Sequence, residues 1–444
     1  LSRLRVVVVG AGLAGLTAAG HLLAGDVDVV VLEATTRVGG RAFTRHDRFI
    51  DGQYAEAGAE WIDTVHARMH RLIDRFGLQT DPHATTWTAI RRWLYKDGEL
   101  RGPDELHRVD PHLADDLARL ERYIADVAAG IDEPAHPGRH AGAEQFDALS
   151  IAEVIDQLEL RPLARLFATR NMQGEFAAEP HEVSVLFVAQ QRALYAQAEA
   201  VSGPVSAQRV LGGVGAIGTG LAAGLPPGTV RLGAAVHAIQ TNDDHVRVMT
   251  DTEVFEADHV VLACSLVPVR QIHFDPPLPA PLVDTIFGLG YGRVTKTALQ
   301  YPSRPWPAGY ATTLGRAQRV YEPTIGQRGD AGILIGYTGG DGGAQLAVLD
   351  ESQRMAVIEA SQREMYARLP ASLGGFSQAW STVEFVGGSY AVFRPGEVTR
   401  YWEVLRRAHG RVHLAGEHTA TWTGYLEGAV ESGETVAARL LATG

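Results

Sequence analysis

A strand, a glycine-rich turn, a helix, a second strand and an acid follow one another at the start of the chain, and few folds accommodate that order. Arg5-Val6-Val7-Val8-Val9 is a β-branched run suited to a strand buried on both faces. Gly10-Ala11-Gly12-Leu13-Ala14-Gly15 follows directly, and Leu16 to Ala24 reads as a helix. Gly10 permits the tight turn, Gly12 lets backbone reach a pyrophosphate, and Gly15 allows close helix–strand packing. The helix N-terminus adds N–H groups and partial positive charge for phosphates. Val27 to Leu32 reads as the second strand. Glu33 closes it, where an acid accepts hydrogen bonds from the adenosine ribose hydroxyls. Together these features imply a dinucleotide-binding domain.

Arg37-Val38-Gly39-Gly40-Arg41 comes next, with adjacent glycines and two guanidiniums just past the ribose acid. A nicotinamide site has no need of them, whereas a longer flavin dinucleotide needs further backbone donors and cations; a solvated surface turn is the alternative. A formal GxGxxG recurs at Gly213, Gly215 and Gly218. No buried strand precedes it and no acid follows a second strand, so a glycine turn opening a short helix is expected there.

The segment from Ala415 to Val430 is the second informative stretch, Gly416-Glu417 leading to Gly424-Tyr425-Leu426-Glu427-Gly428. Its glycines would let backbone approach a large planar ligand, with aromatic residues on the ligand's open face. Gly424 to Val430 is expected to open the last helix, which Leu426, Val430, Gly433, Ala437 and Leu440 keep on the core.

Glu33-Ala34-Thr35-Thr36-Arg37-Val38-Gly39-Gly40-Arg41 resembles the flavin fingerprint of the monoamine oxidase family, which includes polyamine oxidases and L-amino-acid oxidases. The resemblance implies an α/β fold: a Rossmann-like FAD-binding domain of the glutathione-reductase type, interleaved with an α+β substrate-binding domain that includes a helical lobe. The expected boundaries are 1–80, 205–285 and 389–444 for the FAD domain, and 81–204 and 286–388 for the substrate domain. Within the latter, helical periodicity runs through Leu113 to Ala128, Ile151 to Ala168 and Val183 to Ala198. Strands are expected over Val230 to Gln240, Val246 to Thr250 and Val254 to Cys264, and one helix over Ser352 to Leu369.

By the same resemblance FAD meets Gly10, Gly12, Ala14 and Gly15, then Glu33, Ala34, Arg37, Gly40 and Arg41. Gly58-Ala59-Glu60-Trp61 is similar to the family's turn near the flavin, and Val236 to the position whose backbone meets the adenine. Gly416, Glu417, Leu426 and Ala429 complete the cofactor contacts, with Trp380 packing near the ring. Gly387-Gly388-Ser389-Tyr390 carries one tyrosine of the family's aromatic cage, and Tyr425 is the other. Mammalian monoamine oxidases carry a cysteine at the Ser389 position that bonds the flavin. A serine cannot form that thioether, so FAD is expected to be held non-covalently. Lys296, in Arg293-Val294-Thr295-Lys296-Thr297, matches the family lysine implicated in reoxidation by O2, where a water bridging it to flavin N5 is expected. The catalytic expectation is therefore Lys296, Tyr390 and Tyr425, without a metal.

The implied reaction is oxidation of a small-molecule amine to an imine, with O2 reduced to H2O2. An L-amino-acid oxidase is the rival within the family; it needs a guanidinium for the carboxylate, and Arg68, Arg92 and Arg293 are donors among which the sequence does not choose. A flavin-dependent dehydrogenase or desaturase, and a non-catalytic flavoprotein scaffold, are rivals outside it. The formal net charge of −12 disfavours nucleic acid. No apolar run reaches the ~20 residues of a membrane span. Cys264 is the one cysteine, which excludes an intrachain disulfide, and a buried structural thiol is expected. His66 reads as a satisfied histidine rather than a catalytic one. A cytoplasmic location is the default, although the chain starts at Leu1 and a preceding signal segment would not be seen in it. A homodimer is compatible with all of this.

Overall fold

The computed structural model describes residues 3–81 and 92–442. Strand β1 (Arg5–Val9) lies in the middle of a five-stranded sheet, flanked by β2 (Asp28–Glu33) and Val230–Leu232 on one side and by His259–Leu262 and Val412–Leu414 on the other. Every pairing in this sheet is parallel. Val6, Val7 and Val8 are buried because helices and loops cover both faces, which is why the segment is a continuous apolar run rather than an alternating one. Helix α1 (Leu13–Ala24) starts three residues earlier than the periodicity suggested, immediately at the glycine turn. A Cβ on Gly15 would lie 2.0 Å from the Gly10 carbonyl oxygen, so only glycine lets the helix close on the turn.

The expected strand from Val230 to Gln240 is two strands. Val230–Leu232 ends the parallel sheet, and Val236–Thr241 belongs to a separate four-stranded sheet. Gly233, with φ of +69°, makes the break, and its N–H donates to the Thr35 carbonyl. Ile151 to Ala168 is likewise two helices, Ile151–Gln157 and Pro162–Glu175, because Pro162 fits a first turn but not a helix interior. The helix expected over Ser352 to Leu369 is Glu351–Met365, and Gly340–Ala347 before it was not anticipated. Helices Ala280–Gly288 and Glu397–Arg406 were not anticipated.

A seven-stranded sheet forms the floor of the second half, with Thr295–Tyr301 paired antiparallel to Gly332–Thr338 and to Gly374–Ala379. Its far edge is the hairpin Arg92–Lys96 and Glu99–Arg101. That hairpin falls in the segment read as mainly helical; residues 82–91 of the segment lie outside the described residues. The helices Leu113–Ala128, Pro162–Glu175 and Val185–Ser202 pack into the lobe expected from their periodicity.

The second GxGxxG is a packing element. Val214 N–H donates to Glu56 Oε1 at 2.7 Å and Gly215 N–H to Thr44 Oγ1 at 3.0 Å, so these amides hold protein oxygens. A Cβ on Gly218 would lie 2.8 Å from Gly39 Cα, so the helix Gly215–Ala223 rests directly on the Gly39-Gly40 turn.

Glu56 carries a pH dependence. Burial pushes its carboxyl up to about 7 against the bonds from Val214 N–H and the Thr44 hydroxyl. A folded-state value above the unfolded one stabilises fully below the unfolded value of 4.5, and that stability is lost as pH rises through about 7. Glu56→Gln removes the penalty of ionisation, of the order of 3 kcal/mol. Its melting temperature relative to the parent protein is expected to rise between pH 5 and pH 8 in thermal scans.

Candidate active site

A cavity of about 860 Å3 runs from Gly10 and Glu33 at one end to Tyr390 and Tyr425 at the other. That is near the top of the usual range for cofactor and small-molecule sites, about 300–1,000 Å3. At the first end, Gly12 has no atom within 4 Å of where a Cβ would stand, so its backbone faces open space. The Glu33 carboxylate is fixed by Ala11 N–H (2.8 Å), Thr35 N–H (2.9 Å) and the Thr35 hydroxyl (2.7 Å). Arg37 lies 3.9 Å over the Phe43 ring and also lines the wall. Gly15, Ala34 and Val236 do not line it: Gly15 packs on the turn, and Val236 begins the neighbouring sheet.

Cys264, expected as a buried structural thiol, packs against the core and also lines this end beside Gly10. Burial among protein groups pushes its thiol up to about 12, so it is a neutral wall and not a nucleophile.

Midway, Glu417 ties three segments together. Its carboxylate accepts from Arg41 Nη1 at 2.8 Å, Gly424 N–H at 2.9 Å and Ala391 N–H at 3.2 Å. Arg41 also donates to the Ser389 carbonyl at 2.6 Å. The Ser389 hydroxyl is buried, lines the cavity and has no partner among the described residues. The helix Leu426–Leu441 begins here, with Leu426 and Ala429 on the wall.

Gly58, Trp380 and Lys296 form the next stretch of wall. A Cβ on Gly58 would sit 1.9 Å from the Arg41 carbonyl oxygen and 3.0 Å from Trp380, and the Trp380 indole donates to the Ala57 carbonyl at 2.8 Å. Lys296 projects from the strand Thr295–Tyr301 and is buried. Its ammonium meets Glu60 Oε2 at 2.7 Å and the Gly58 carbonyl at 3.3 Å. Glu60 also accepts from the Tyr321 hydroxyl at 2.7 Å and lies 3.7 Å from Arg209. Despite the burial, Lys296 and Arg209 hold its carboxyl below the ordinary value. The lysine's partner is therefore an acid of the glycine turn that the sequence had placed only as a flavin contact.

Aromatic residues enclose the far end. The Tyr390 and Tyr337 hydroxyls share a hydrogen bond of 3.0 Å, and the Tyr390 ring lies against Gly424, next to Tyr425. Tyr310 and Tyr321 stack at 5.6 Å, and Trp61 faces the same space. Burial raises the Tyr390 and Tyr425 phenols well above their ordinary value, so both are neutral walls and neither is a base. His66 is buried and held at about 3 by desolvation. Its ring is edge-on to Trp422 and Tyr425, at 4.8 and 5.3 Å, where an uncharged histidine serves as packing.

Sequence reasoning missed Asp63, Glu175, Tyr195, Arg319 and Tyr337, all on the cavity wall. They come from five separate segments, and no local spacing marks them.

The family model for flavin-containing amine oxidoreductases matches residues 13–441. The chain belongs to that family. Pig flavin-containing amine oxidase B (Sus scrofa) is 30% identical over 458 residues, covering 99% of this oxidase and 86% of that protein. The zebrafish enzyme (Danio rerio) is 30% identical over 452 residues, 97% of this chain and 84% of the other. Among solved structures, a putrescine oxidase bound to putrescine superposes with a TM-score of 0.85 at 25% identity, over 99% of both chains. A cyclohexylamine oxidase from Brevibacterium oxydans IH-35A gives 0.88 at 22% identity, over 100% of this chain and 99% of that one, a likeness of fold. The fold is the FAD amine oxidase fold, and the activity is FAD-dependent oxidation of amines. No helix among the described residues is long and apolar enough to cross a membrane.

Proposed function

We propose that this oxidase takes an amine without an α-carboxylate, holds it between Tyr390 and Tyr425, and uses O2 as acceptor, releasing H2O2. The observation that carries the reading is one cavity joining a dinucleotide turn, a buried lysine and an aromatic chamber. FAD held in this cavity would supply the redox chemistry, the two-electron oxidation of the amine and the return of those electrons to O2.

The chain's own groups bind, orient and exclude water. Gly10, Gly12 and the start of α1 would present backbone to the pyrophosphate, and Glu33 would receive the ribose hydroxyls. Arg37 and Arg41 add positive charge further along, while Gly40, Gly58, Ala59 and Gly416 let backbone come close. Ser389 leaves the cofactor unbonded: its hydroxyl forms no thioether, and Cys264 stands at the Gly10 end. Desolvation by the aromatic walls favours the neutral form of the amine, the form that reacts. Tyr390 and Tyr425 orient the nitrogen by their faces. The imine leaves and is hydrolysed to a carbonyl compound plus ammonia or amine. We also propose that 1–80, 205–285 and 389–444 form the cofactor-binding half, and 81–204 with 286–388 the substrate-binding half.

One observation favours an L-amino-acid oxidase instead. The Arg319 guanidinium lines the chamber 5.7 Å from the Tyr310 ring, donates to the Arg170 carbonyl at 2.8 Å, and has no ion pair within 4.0 Å among the described residues. Against it, Glu175 and Asp63 face the same chamber and would meet a substrate carboxylate. Of the donors named from sequence, Arg92 lines the cavity, whereas Arg68 and Arg293 drop out, since they are bonded to Glu427 with Glu434 and to Glu182 with Asp341, off the cavity.

The test compares 2-phenylethylamine with L-phenylalanine, and each further amine of a panel with its α-carboxylated analogue, by peroxide release. The amines are expected to win by about tenfold or more, close to 1.4 kcal/mol; a preference for the amino acids would reverse the assignment. Tyr390→Phe and Tyr425→Phe are each expected to keep FAD and lose about 5–30-fold in kcat/KM, or ~1–2 kcal/mol. Loss of FAD on gel filtration would make these tyrosines structural.

A further inference from the structure

Tyr195 stands beside Tyr425 on the chamber's edge. It projects from the helix Val185–Ser202 of the helical lobe and lines the cavity. Its ring is edge-on to Trp422 (5.1 Å, 86°) and to Tyr425 (5.9 Å, 71°). Its hydroxyl donates to Asp63 Oδ2 at 2.5 Å, a short bond to a carboxylate.

Asp63 is itself held firmly. Its N–H donates to His66 Nδ1 at 3.0 Å, its carbonyl meets His70 Nε2 at 3.1 Å, and its strand Ile62–Asp63 pairs with Ala207–Gln208. The Tyr425 ring is thus touched by His66, Trp422 and Tyr195, and of these only Tyr195 comes from the helical lobe.

We propose that Tyr195, anchored by Asp63, is a positioning residue for amine oxidation that fixes the Tyr425 ring as a wall of the substrate chamber. An edge contact alone resists sliding weakly, because aromatic pairs tolerate a range of offsets. The hydroxyl bond to a fixed carboxylate removes that freedom. The Tyr195 and Tyr425 phenols are also close enough to influence each other's ionisation, so the anchor acts on the hydroxyl as well as on the ring. One consequence reaches across the fold: the lobe helix is coupled to the C-terminal motif at the Tyr425 ring through this side chain, beside the bond from Gln190 Nε2 to the Thr421 carbonyl at 3.1 Å.

The inference rests on the reading of Tyr425 as a substrate wall, and its test separates the two. Steady-state kinetics of the FAD-loaded protein with the fastest amine of the panel are measured for Tyr195→Phe, Asp63→Asn, Tyr425→Phe and the Tyr195→Phe/Tyr425→Phe double variant, with FAD content and melting temperature. Tyr195→Phe is expected to raise KM about 5–10-fold and change kcat less than twofold, with FAD content unchanged. Asp63→Asn, whose amide still accepts the bond, is expected to be milder. In the double variant the losses are expected not to multiply, Tyr195→Phe adding less than twofold to Tyr425→Phe. Unchanged kinetics in Tyr195→Phe, multiplying losses, or a loss of FAD with normal kinetics per bound FAD would overturn the proposal. Unchanged kinetics in Tyr425→Phe alone would overturn the reading of Tyr425 instead.

Discussion

Lys296→Met is expected to slow the reaction of the reduced enzyme with O2 by about 100-fold, while leaving its reduction by amine nearly unchanged. The ammonium is buried on the cavity wall, and we propose that its charge would stabilise negative charge as it develops on the acceptor. Removing one such preorganised group costs about 10²–10³ in rate. Stopped-flow mixing of pre-reduced enzyme with aerated buffer reads this step alone.

The same substitution acts on stability. Glu60 would lose its 2.7 Å counter-ion and keep the Tyr321 hydroxyl and the more distant Arg209. Breaking a buried pair from one side costs about 3–5 kcal/mol. Arg209 places the expected loss at the lower end. Lys296→Met/Glu60→Gln should therefore melt higher than Lys296→Met, even though it carries one more substitution; a lower melting temperature for the pair would mean that Glu60 is not the lysine's counter-ion.

The second large effect is expected at Glu417. In Glu417→Ala the Arg41 guanidinium loses its 2.8 Å partner, and the amides of Ala391 and Gly424 lose their acceptor. These groups belong to the fingerprint turn, the Ser389-Tyr390 loop and the start of the last helix, so one carboxylate sets the spacing between both ends of the chain. Arg41 is partly exposed, so the cost comes chiefly from the two amides left without an acceptor, about 1–3 kcal/mol each. The protein is expected to elute from gel filtration with most of its FAD lost and a clearly lowered melting temperature. Glu417→Gln can still accept from one or two donors and is expected to lie between. Full FAD retention in Glu417→Ala would show that Arg41 and Gly424 are held by other contacts.

The parts of this molecule that were legible in sequence are those whose chemistry is local. From β1 to Glu33 the strand, turn, helix and acid are contiguous, and the C-terminal glycines announce close approach within a few residues. Tyr390, Tyr425 and Lys296 were placed by resemblance, and all three line one cavity. What could not be read depends on contacts between distant segments. The edge hairpin Arg92–Arg101 owes its conformation to pairing with Tyr310–Thr313, more than 200 residues further on. Glu60 looked like one residue of a flavin turn; its burial beside Lys296 comes from the meeting of two segments 236 residues apart. Tyr195 sits in an unremarkable helical repeat, and only the fold brings its hydroxyl to Asp63. Gly213, Gly215 and Gly218 had the letters of a nucleotide loop, but Glu56 and Thr44 occupy the amides of Val214 and Gly215.

The most direct test of amine oxidation in this cavity is a paired experiment on the FAD-loaded protein. An amine panel is added without oxygen while flavin absorbance is followed, and air is then admitted with peroxide measured. At least one amine is expected to bleach the flavin fully, with about one H2O2 released per amine oxidised once oxygen enters, and with both signals weakened in Tyr390→Phe and Tyr425→Phe. Bleaching by amino acids alone, or reduction by amines without peroxide on reoxygenation, would contradict the account.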